Sequence, residues 1–151
     1  RQRQMCIRDR NSNSVSGYTV SASTDSVNAW KAFNDVTSYP SHSSDTWEIG
    51  ADATYSNSTY TGSTERVSGY KGEWIEIQIP NSIYVEQLDI YCTKEEYQPR
   101  RLHMFGSNDG VIYDLIQYSG DLGDRWAGDY TYGTVFTRTP DIINEVHTIE
   151  F

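Results

Sequence analysis

The sequence predicts an all-β domain, and two observations carry that prediction. Apolar and polar residues alternate with a period of two in several short runs, as they do in half-buried β-strands. No stretch of the 151 residues shows the helical period of an amphipathic helix. The length suits one core of ordinary size. The aromatic share of 13%, with twelve Tyr and four Trp, is enough to close that core or to furnish a binding surface.

The clearest predicted strand covers residues 74–79, where isoleucine alternates with polar residues. We expect Pro80 to end this strand, because proline cannot donate a hydrogen bond to a sheet. The face of the strand toward the core is formed by three residues, Ile75, Ile77 and Ile79. A second strand is predicted at 85–93, with Leu88, Ile90 and Cys92 on one face. Cys92 is therefore expected as a buried apolar residue without a disulfide partner.

A hairpin is predicted next, around the segment 106–110. Leu102 and Met104 alternate with His103 and Phe105, and the sequence Gly-Ser-Asn-Asp-Gly follows. An Asp-Gly pair tolerates the positive φ that tight turns require. The return strand is expected to begin at Val111 and to continue through Tyr113 to 115–118. Further short strands are predicted at 134–137 and 146–151.

Long polar segments connect these strands. A single helical turn is expected at 27–33, with Ser26 as its N-cap. Loops are predicted at 34–45, 51–72 and 119–133. Loops of this length are uncommon in a small domain unless they bind a ligand or close over one, so we expect them to carry the function.

The first ten residues differ from the rest of the chain. The sequence Met-Cys-Ile-Arg-Asp at 5–9 reads like a translated sequencing adapter, so we expect 1–10 to be non-native and the domain to cover 11–151. The segment 1–10 holds four of the twelve basic residues and one of the 21 acidic residues. The remainder therefore carries eight basic and twenty acidic residues, a net charge of −12.

This acidic balance disfavours two classes of partner. A negative field repels nucleic acid and anionic lipid, so neither is expected as a partner. No apolar run reaches the roughly 20 residues that a membrane-spanning helix needs, so membrane insertion is not expected either.

Four segments resemble the discoidin domains, also called coagulation-factor C-type domains, which occur in carbohydrate-binding modules and in virus and phage surface proteins. The segments are 29–35 followed by Trp47, 69–80, 99–104 running into 106–110, and Tyr113 with Ile116. The resemblance implies an antiparallel jelly-roll β-sandwich of the galactose-binding type. It also implies that the domain lacks its last strand or strands. Family members often hold a structural calcium ion, which would here be bound by Asn34 and Asp35.

The resemblance also directs attention to the loops as the ligand site. A sugar needs a flat aromatic face and planar polar groups that hold its hydroxyls. Seven loop residues have this chemistry: Tyr39, His42, Tyr97, Arg100, Arg101, Trp126 and Tyr130. Trp47 and Trp74 are instead assigned to the core, because both lie on or beside strand patterns.

We expect a non-catalytic module, because the sequence gives no support for acidic pairs such as Glu95-Glu96 meeting at the separation of a catalytic carboxylate pair, and no nucleophile or zinc motif is present. The first hypothesis is a lectin-like module that attaches a larger protein or a virus or phage particle to glycans, outside the cell or on the particle surface. Two alternatives stay open. One is a structural domain that binds neighbouring subunits of a particle, and the other is an accessory module of a glycoside hydrolase.

Overall fold

Antiparallel β-strands are the main elements of the structure, a computed structural model that describes residues 12–34, 46–48, 55–56, 59–92, 99, 101–119, 131–137 and 146–150. These residues form twelve strands and one 3₁₀ helix, which confirms the predicted all-β class. None of their helices is long and apolar enough to cross a bilayer. The chain divides into two units, Arg1–Ile77 and Gln78–Phe151.

The first unit contains small sheets and the helix. Its elements are β1 (Ser14–Val15), β2 (Tyr18–Ala22), the 3₁₀ helix (Ser26–Phe33), β3 (Tyr55–Ser56), β4 (Thr59–Tyr60), β5 (Glu65–Val67), β6 (Tyr70–Lys71) and the start of β7 (Ile75–Ile83). The strands β1, β2 and β7 are neighbours in that order, while β3-β4 and β5-β6 are separate antiparallel hairpins. The segment 51–72, predicted as a loop, therefore contains two hairpins. Buried apolar residues of this unit are Val20, Ala22, Ala29, Ile75 and Ile77.

A two-residue turn joins β1 to β2. Val15 pairs with Tyr18, and the residues between them, Ser16 and Gly17, have φ of 52° and 85°. Two successive positive φ values define a type I′ turn, whose twist matches that of the strands it connects. Glycine adopts this conformation without strain, which favours Gly17 at the second position.

The 3₁₀ helix confirms the predicted helical turn but corrects its cap. Ser26 lies inside the helix, and the cap position is Asp25, which has left-handed backbone angles and makes no side-chain cap hydrogen bond. The Asn28 N–H donates to the Asp25 carbonyl over 2.9 Å, so a backbone turn replaces the expected cap. Asn13 holds the helix from outside, because its Oδ1 accepts from the Trp30 N–H over 3.0 Å.

Strand β7 confirms the predicted alternation and extends beyond the predicted end. Ile75, Ile77 and Ile79 are 5%, 2% and 7% exposed, so the isoleucine face is the buried face. The strand continues through Pro80 to Ile83. Proline removes one N–H but its fixed φ is compatible with extended backbone, so it does not have to end a strand.

The second unit contains the rest of β7, β8 (Gln87–Cys92), β9 (Leu102–Ser107), β10 (Asp114–Ser119), β11 (Thr131–Thr137) and β12 (Val146–Glu150). The strands β7, β12, β9 and β10 are neighbours in that order, and β8 pairs antiparallel with β11. Cys92 is buried, as predicted, and burial raises the pKa of its thiol to about 11.

Burial on β9 departs from the predicted alternation. Leu102 and Met104 are buried as expected, but Phe105 is buried too, at 5% exposure. β9 lies between β12 and β10, and residues 104–107 are buried one after another, so both faces of the strand are covered there. His103 is half-buried and stacks on Phe105 with ring centroids 6.2 Å apart, and burial lowers the pKa of the imidazole.

Candidate functional site

Most of the sequence-predicted sugar contacts lie outside the described residues. This holds for six of them: Tyr39, His42, Tyr97, Arg100, Trp126 and Tyr130. Arg101 is described and is exposed, directly before β9. These residues stay predictions, since the structure does not bring them together or separate them.

The predicted calcium site is described only in part. Asp35 lies outside the described residues, and the Asn34 N–H donates to the Lys31 carbonyl over 3.4 Å at the end of the helix. In the described part of the chain, no group of three or more His, Cys, Asp or Glu side chains could hold a metal ion.

A group of aromatic and charged side chains does converge in the first unit. We call it the aromatic-charged cluster, and its members come from β3, β4, β5, the residues before β7 and β7 itself: Tyr55, Tyr60, Arg66, Glu73, Trp74 and Glu76. It has two parts, one around Arg66 and Trp74 and one around Tyr55 and Glu73, and they are linked because Glu73 and Trp74 are neighbours in the chain. Sugar sites combine the same residue types.

Arg66 organises the first part of the cluster. Its Nε and Nη2 atoms donate to one oxygen, Oε2 of Glu76, over 3.0 and 2.8 Å. Its guanidinium carbon lies 5.7 Å from the centre of the Trp74 ring, within cation-π range. Trp74 directly precedes β7 and Glu76 is the second residue of the strand, and Arg66 contacts both. The guanidinium thus has an aromatic ring on one side and a carboxylate at its edge.

This ion pair is only partly in water. The Arg66 side chain is 34% exposed and the Glu76 side chain 13%. A charge-assisted hydrogen bond that is sheltered in this way is stronger than a pair in bulk water, and two donors on one oxygen hold the guanidinium in one orientation. The cluster therefore combines a planar cation, a carboxylate and an aromatic ring in a fixed arrangement.

Glu73 connects the cluster to the end of β2. Its Oε2 accepts hydrogen bonds from Ser23 Oγ and, over 3.1 Å, from Thr24 Oγ1. The Trp47 indole N–H donates to the Thr24 carbonyl over 2.9 Å. Trp47 and Trp74 are both half-buried, so neither belongs to the fully buried core to which the sequence assigns them. Each ring has a polar or charged partner that holds it at the surface.

Tyr55 and Tyr60 form the second part. Their rings meet edge to face, with centroids 5.3 Å apart and planes at 66°. The Tyr60 hydroxyl accepts from the Thr64 N–H over 3.1 Å. Burial and, secondarily, the negative charge of Glu73 raise the pKa of Tyr55. Tyr55 is still 45% exposed, so part of its ring is open to a ligand.

Sequence reasoning missed this cluster for an identifiable reason. Three of its members, Tyr55, Tyr60 and Arg66, lie in the segment 51–72, which the sequence predicts as one loop and in which no residue spacing reveals a hairpin. The available signal was the Tyr-Lys-Gly-Glu-Trp sequence at 70–74, which places an aromatic and an acidic residue directly before the strongest strand.

A comparison of the chain with protein-family models, curated proteins and solved structures finds no match. The chemistry of the cluster and the sequence pattern are therefore what supports a function.

Proposed function

We propose that this chain is a non-catalytic carbohydrate-binding module with a discoidin-type jelly-roll β-sandwich fold. It acts outside the cell or on a virus or phage particle, where it attaches a larger protein or the particle to glycans. The antiparallel strands and the four discoidin-like segments support the fold. The observation that carries the function is the Arg66 guanidinium held between the Trp74 ring and the Glu76 carboxylate, with the half-exposed Tyr55 in the same cluster.

The chemistry of a pyranose fits such a surface. One face of the ring carries axial C–H groups that pack on an aromatic ring, and adjacent hydroxyls accept from guanidinium and donate to carboxylate. Binding at one site is expected to be weak and to gain strength from several copies on one particle.

The sequence-predicted loop residues belong to the same proposal. They would extend the sugar surface or form a second one: Tyr39, His42, Tyr97, Arg100, Arg101, Trp126 and Tyr130. A structural calcium ion at Asn34 and Asp35 is part of the proposal as well, with oxygen ligands of the kind that Ca²⁺ prefers. Its role would be to hold the loop, while the sugar contacts come from side chains.

A glycan array is the direct test. The chain is applied with calcium and with chelator, first unaltered and then as Arg66→Gln and Tyr55→Leu. We expect binding to one class of glycan and a loss of about tenfold or more in each variant, the effect of removing a central contact. Trp126→Ala and Arg100→Ala are run beside them and report whether the loops contribute.

Two matched variants control for nonspecific effects. Lys71→Gln removes another exposed cation of the first unit, and Tyr84→Leu removes a tyrosine that is 49% exposed, close to the value for Tyr55. Neither change should alter binding. Folded protein that binds no glycan on the array overturns the proposal and favours a structural role in a particle. Binding that is lost equally in the control variants overturns the assignment to the cluster.

A further inference from the structure

The turn between β9 and β10 exposes apolar side chains. Val111 is 78% exposed and Ile112 is 69% exposed, and we call these two residues the apolar tip. Leu115 follows on β10 at 46% exposure. Turns normally carry Gly, Asn, Asp, Ser or Pro, whose conformations suit them. Two adjacent large aliphatic side chains in water are unfavourable unless they gain contacts elsewhere.

Hydrogen bonds from three side chains hold the apolar tip in place, and the carboxylate of Asp109 binds both of its residues. Oδ1 of Asp109 accepts from the backbone N–H groups of Val111 and Ile112, each over 2.8 Å. Ser107 Oγ accepts from the Gly110 N–H over 2.9 Å, and the Tyr113 hydroxyl donates to the Gly110 carbonyl over 3.0 Å. Gly110 has φ of 70°, which closes the turn. The tip is therefore pre-organised, which reduces the entropy lost when a partner binds.

Acidic residues flank the tip. Asp109 precedes it and Asp114 follows it, and both are exposed. Hydrogen bonds from the Ile112 and Val111 amides lower the pKa of Asp109, so its carboxylate is charged at neutral pH. The tip thus combines an apolar centre with a negative rim, and the chain as a whole has a net charge of −9.

We propose that the apolar tip is a docking site for another protein, whose contact segment presents an apolar face flanked by Lys or Arg. The apolar face buries Val111 and Ile112, and the cations meet Asp109 and Asp114. This arrangement matches the general anatomy of protein interfaces, with an apolar centre and a charged rim that sets specificity. The proposal does not depend on sugar binding.

Charge argues against two other occupants. A second copy of the chain would bring the same acidic rim against itself, which is repulsive. A membrane surface that carries anionic lipid would be repelled in the same way. A basic protein segment is attracted by the charges that repel both of these.

The test uses a defined probe. A synthetic helical peptide with a leucine stripe flanked by lysines is titrated into the isotope-labelled chain at about 0.15 M salt, which screens distant charges. We expect the backbone resonances of residues 109–115 to shift. The double variant Val111→Ser, Ile112→Ser should weaken peptide binding by about tenfold or more, as for a central apolar contact. Asp114→Asn should weaken binding less and should reduce its salt dependence.

Matched controls separate this site from general attraction between acid and base. Val27→Ser removes an aliphatic side chain that is 75% exposed in the first unit and should leave binding unchanged. A peptide of equal charge with serine in place of leucine should not shift residues 109–115. Because Val111 and Ile112 are exposed, their replacement is expected to leave the fold intact, which the amide spectrum of the variant verifies.

Four results would overturn the proposal. Peptide binding unchanged in the double variant means that the tip is not the contact. Equal binding of the serine peptide means that charge alone acts. Binding of phosphatidylserine vesicles that depends on Val111 and Ile112 assigns the tip to lipid. Self-association on ultracentrifugation that the double variant abolishes assigns it to a second copy.

Discussion

The aromatic-charged cluster of the first unit and the apolar tip of the second are held by opposite means. In the cluster, side chains fix one another: Arg66 is bound by Glu76 and lies over Trp74. In the turn, one side chain fixes the backbone, since Asp109 binds two successive amides. The polar groups of the cluster are thus partly sheltered, while the apolar groups of the turn face the solvent.

This contrast indicates which group in each region can be changed without loss of structure. Under the proposed function, replacing a charged member of the cluster removes both a sugar contact and a support for its neighbour. Replacing Val111 or Ile112 removes only the proposed protein contact, because Asp109 binds the backbone of the turn. Under the two proposals, binding and stability are therefore coupled in the first region and separable in the second.

The largest effect is expected from the strand that leads into the turn. Met104 on β9 is 1% exposed, and Met104→Ala should lower the free energy of unfolding by about 2–5 kcal/mol, as for other buried truncations. Urea unfolding measures this value. Leu115→Ala on the adjacent strand is the control and should stay within about 0.5 kcal/mol, because Leu115 is 46% exposed. Equal losses in the two variants would contradict the burial seen for β9.

A smaller effect is expected in the cluster. Arg66→Met leaves Glu76 sheltered without its guanidinium, and the free energy of unfolding should fall by about 1–2 kcal/mol. A double-mutant cycle with Glu76→Gln isolates the coupling between the two side chains. A coupling energy near zero would mean that the interaction between Arg66 and Glu76 does not stabilise the folded chain. Lys71→Met is the matched control for loss of a cation.

The turn is expected to respond locally. Asp109→Ala should speed hydrogen exchange of the Val111 and Ile112 amides by roughly tenfold, because both lose their acceptor. The Gly110 amide, bound by Ser107, should change less, although the Ser107 hydroxyl also donates to Asp109, and Asn108→Ala is the control variant. In the unaltered chain, Asp109 protects the Val111 and Ile112 amides from exchange. This protection is complete above the ordinary Asp pKa of 3.8 and is lost as the pH falls through the lower pKa of Asp109. Unchanged exchange of all three amides in Asp109→Ala would contradict the geometry of the turn.

The smallest effect is expected at alkaline pH, from the ionisation of Tyr55 in the aromatic-charged cluster. The pKa of Tyr55 is raised above its ordinary value of 10.0 in the folded chain, so the folded state keeps the proton longer than the unfolded state. The resulting contribution of Tyr55 to the free energy of unfolding is present below pH 10 and is lost as the pH rises through the higher pKa of the folded state. The difference in unfolding free energy between the unaltered chain and Tyr55→Phe should therefore change only at alkaline pH. Tyr84→Phe serves as the control.

The sequence predicted the longer strands well because their alternation reflects a buried and an open face. The alternation predicts β7, β8 and β9. It predicts β11 from residue 134, whereas the strand begins at Thr131. The hairpins β1-β2, β3-β4 and β5-β6 were missed, because most of their strands have only two residues and too few for a period to develop.

The site was less predictable for two physical reasons. The sequence predicts that the return strand begins at Val111, because aliphatic residues favour a strand. The strand begins at Asp114 instead, because Asp109 holds the two amides that a ladder would use. The cluster depends on side-chain contacts of Arg66 with Trp74 and Glu76, which are eight and ten residues away in the chain and which no local pattern encodes.

The buried thiol of Cys92 is a chemical probe of local opening in the second unit. With a pKa near 11, Cys92 stays protonated at neutral pH, and only the thiolate form of a cysteine reacts with alkylating reagents. The residue is also buried, so its modification requires an opening that exposes it. Alkylation followed peptide by peptide in a mass spectrometer, which distinguishes Cys92 from Cys6, would time that opening in the unaltered chain.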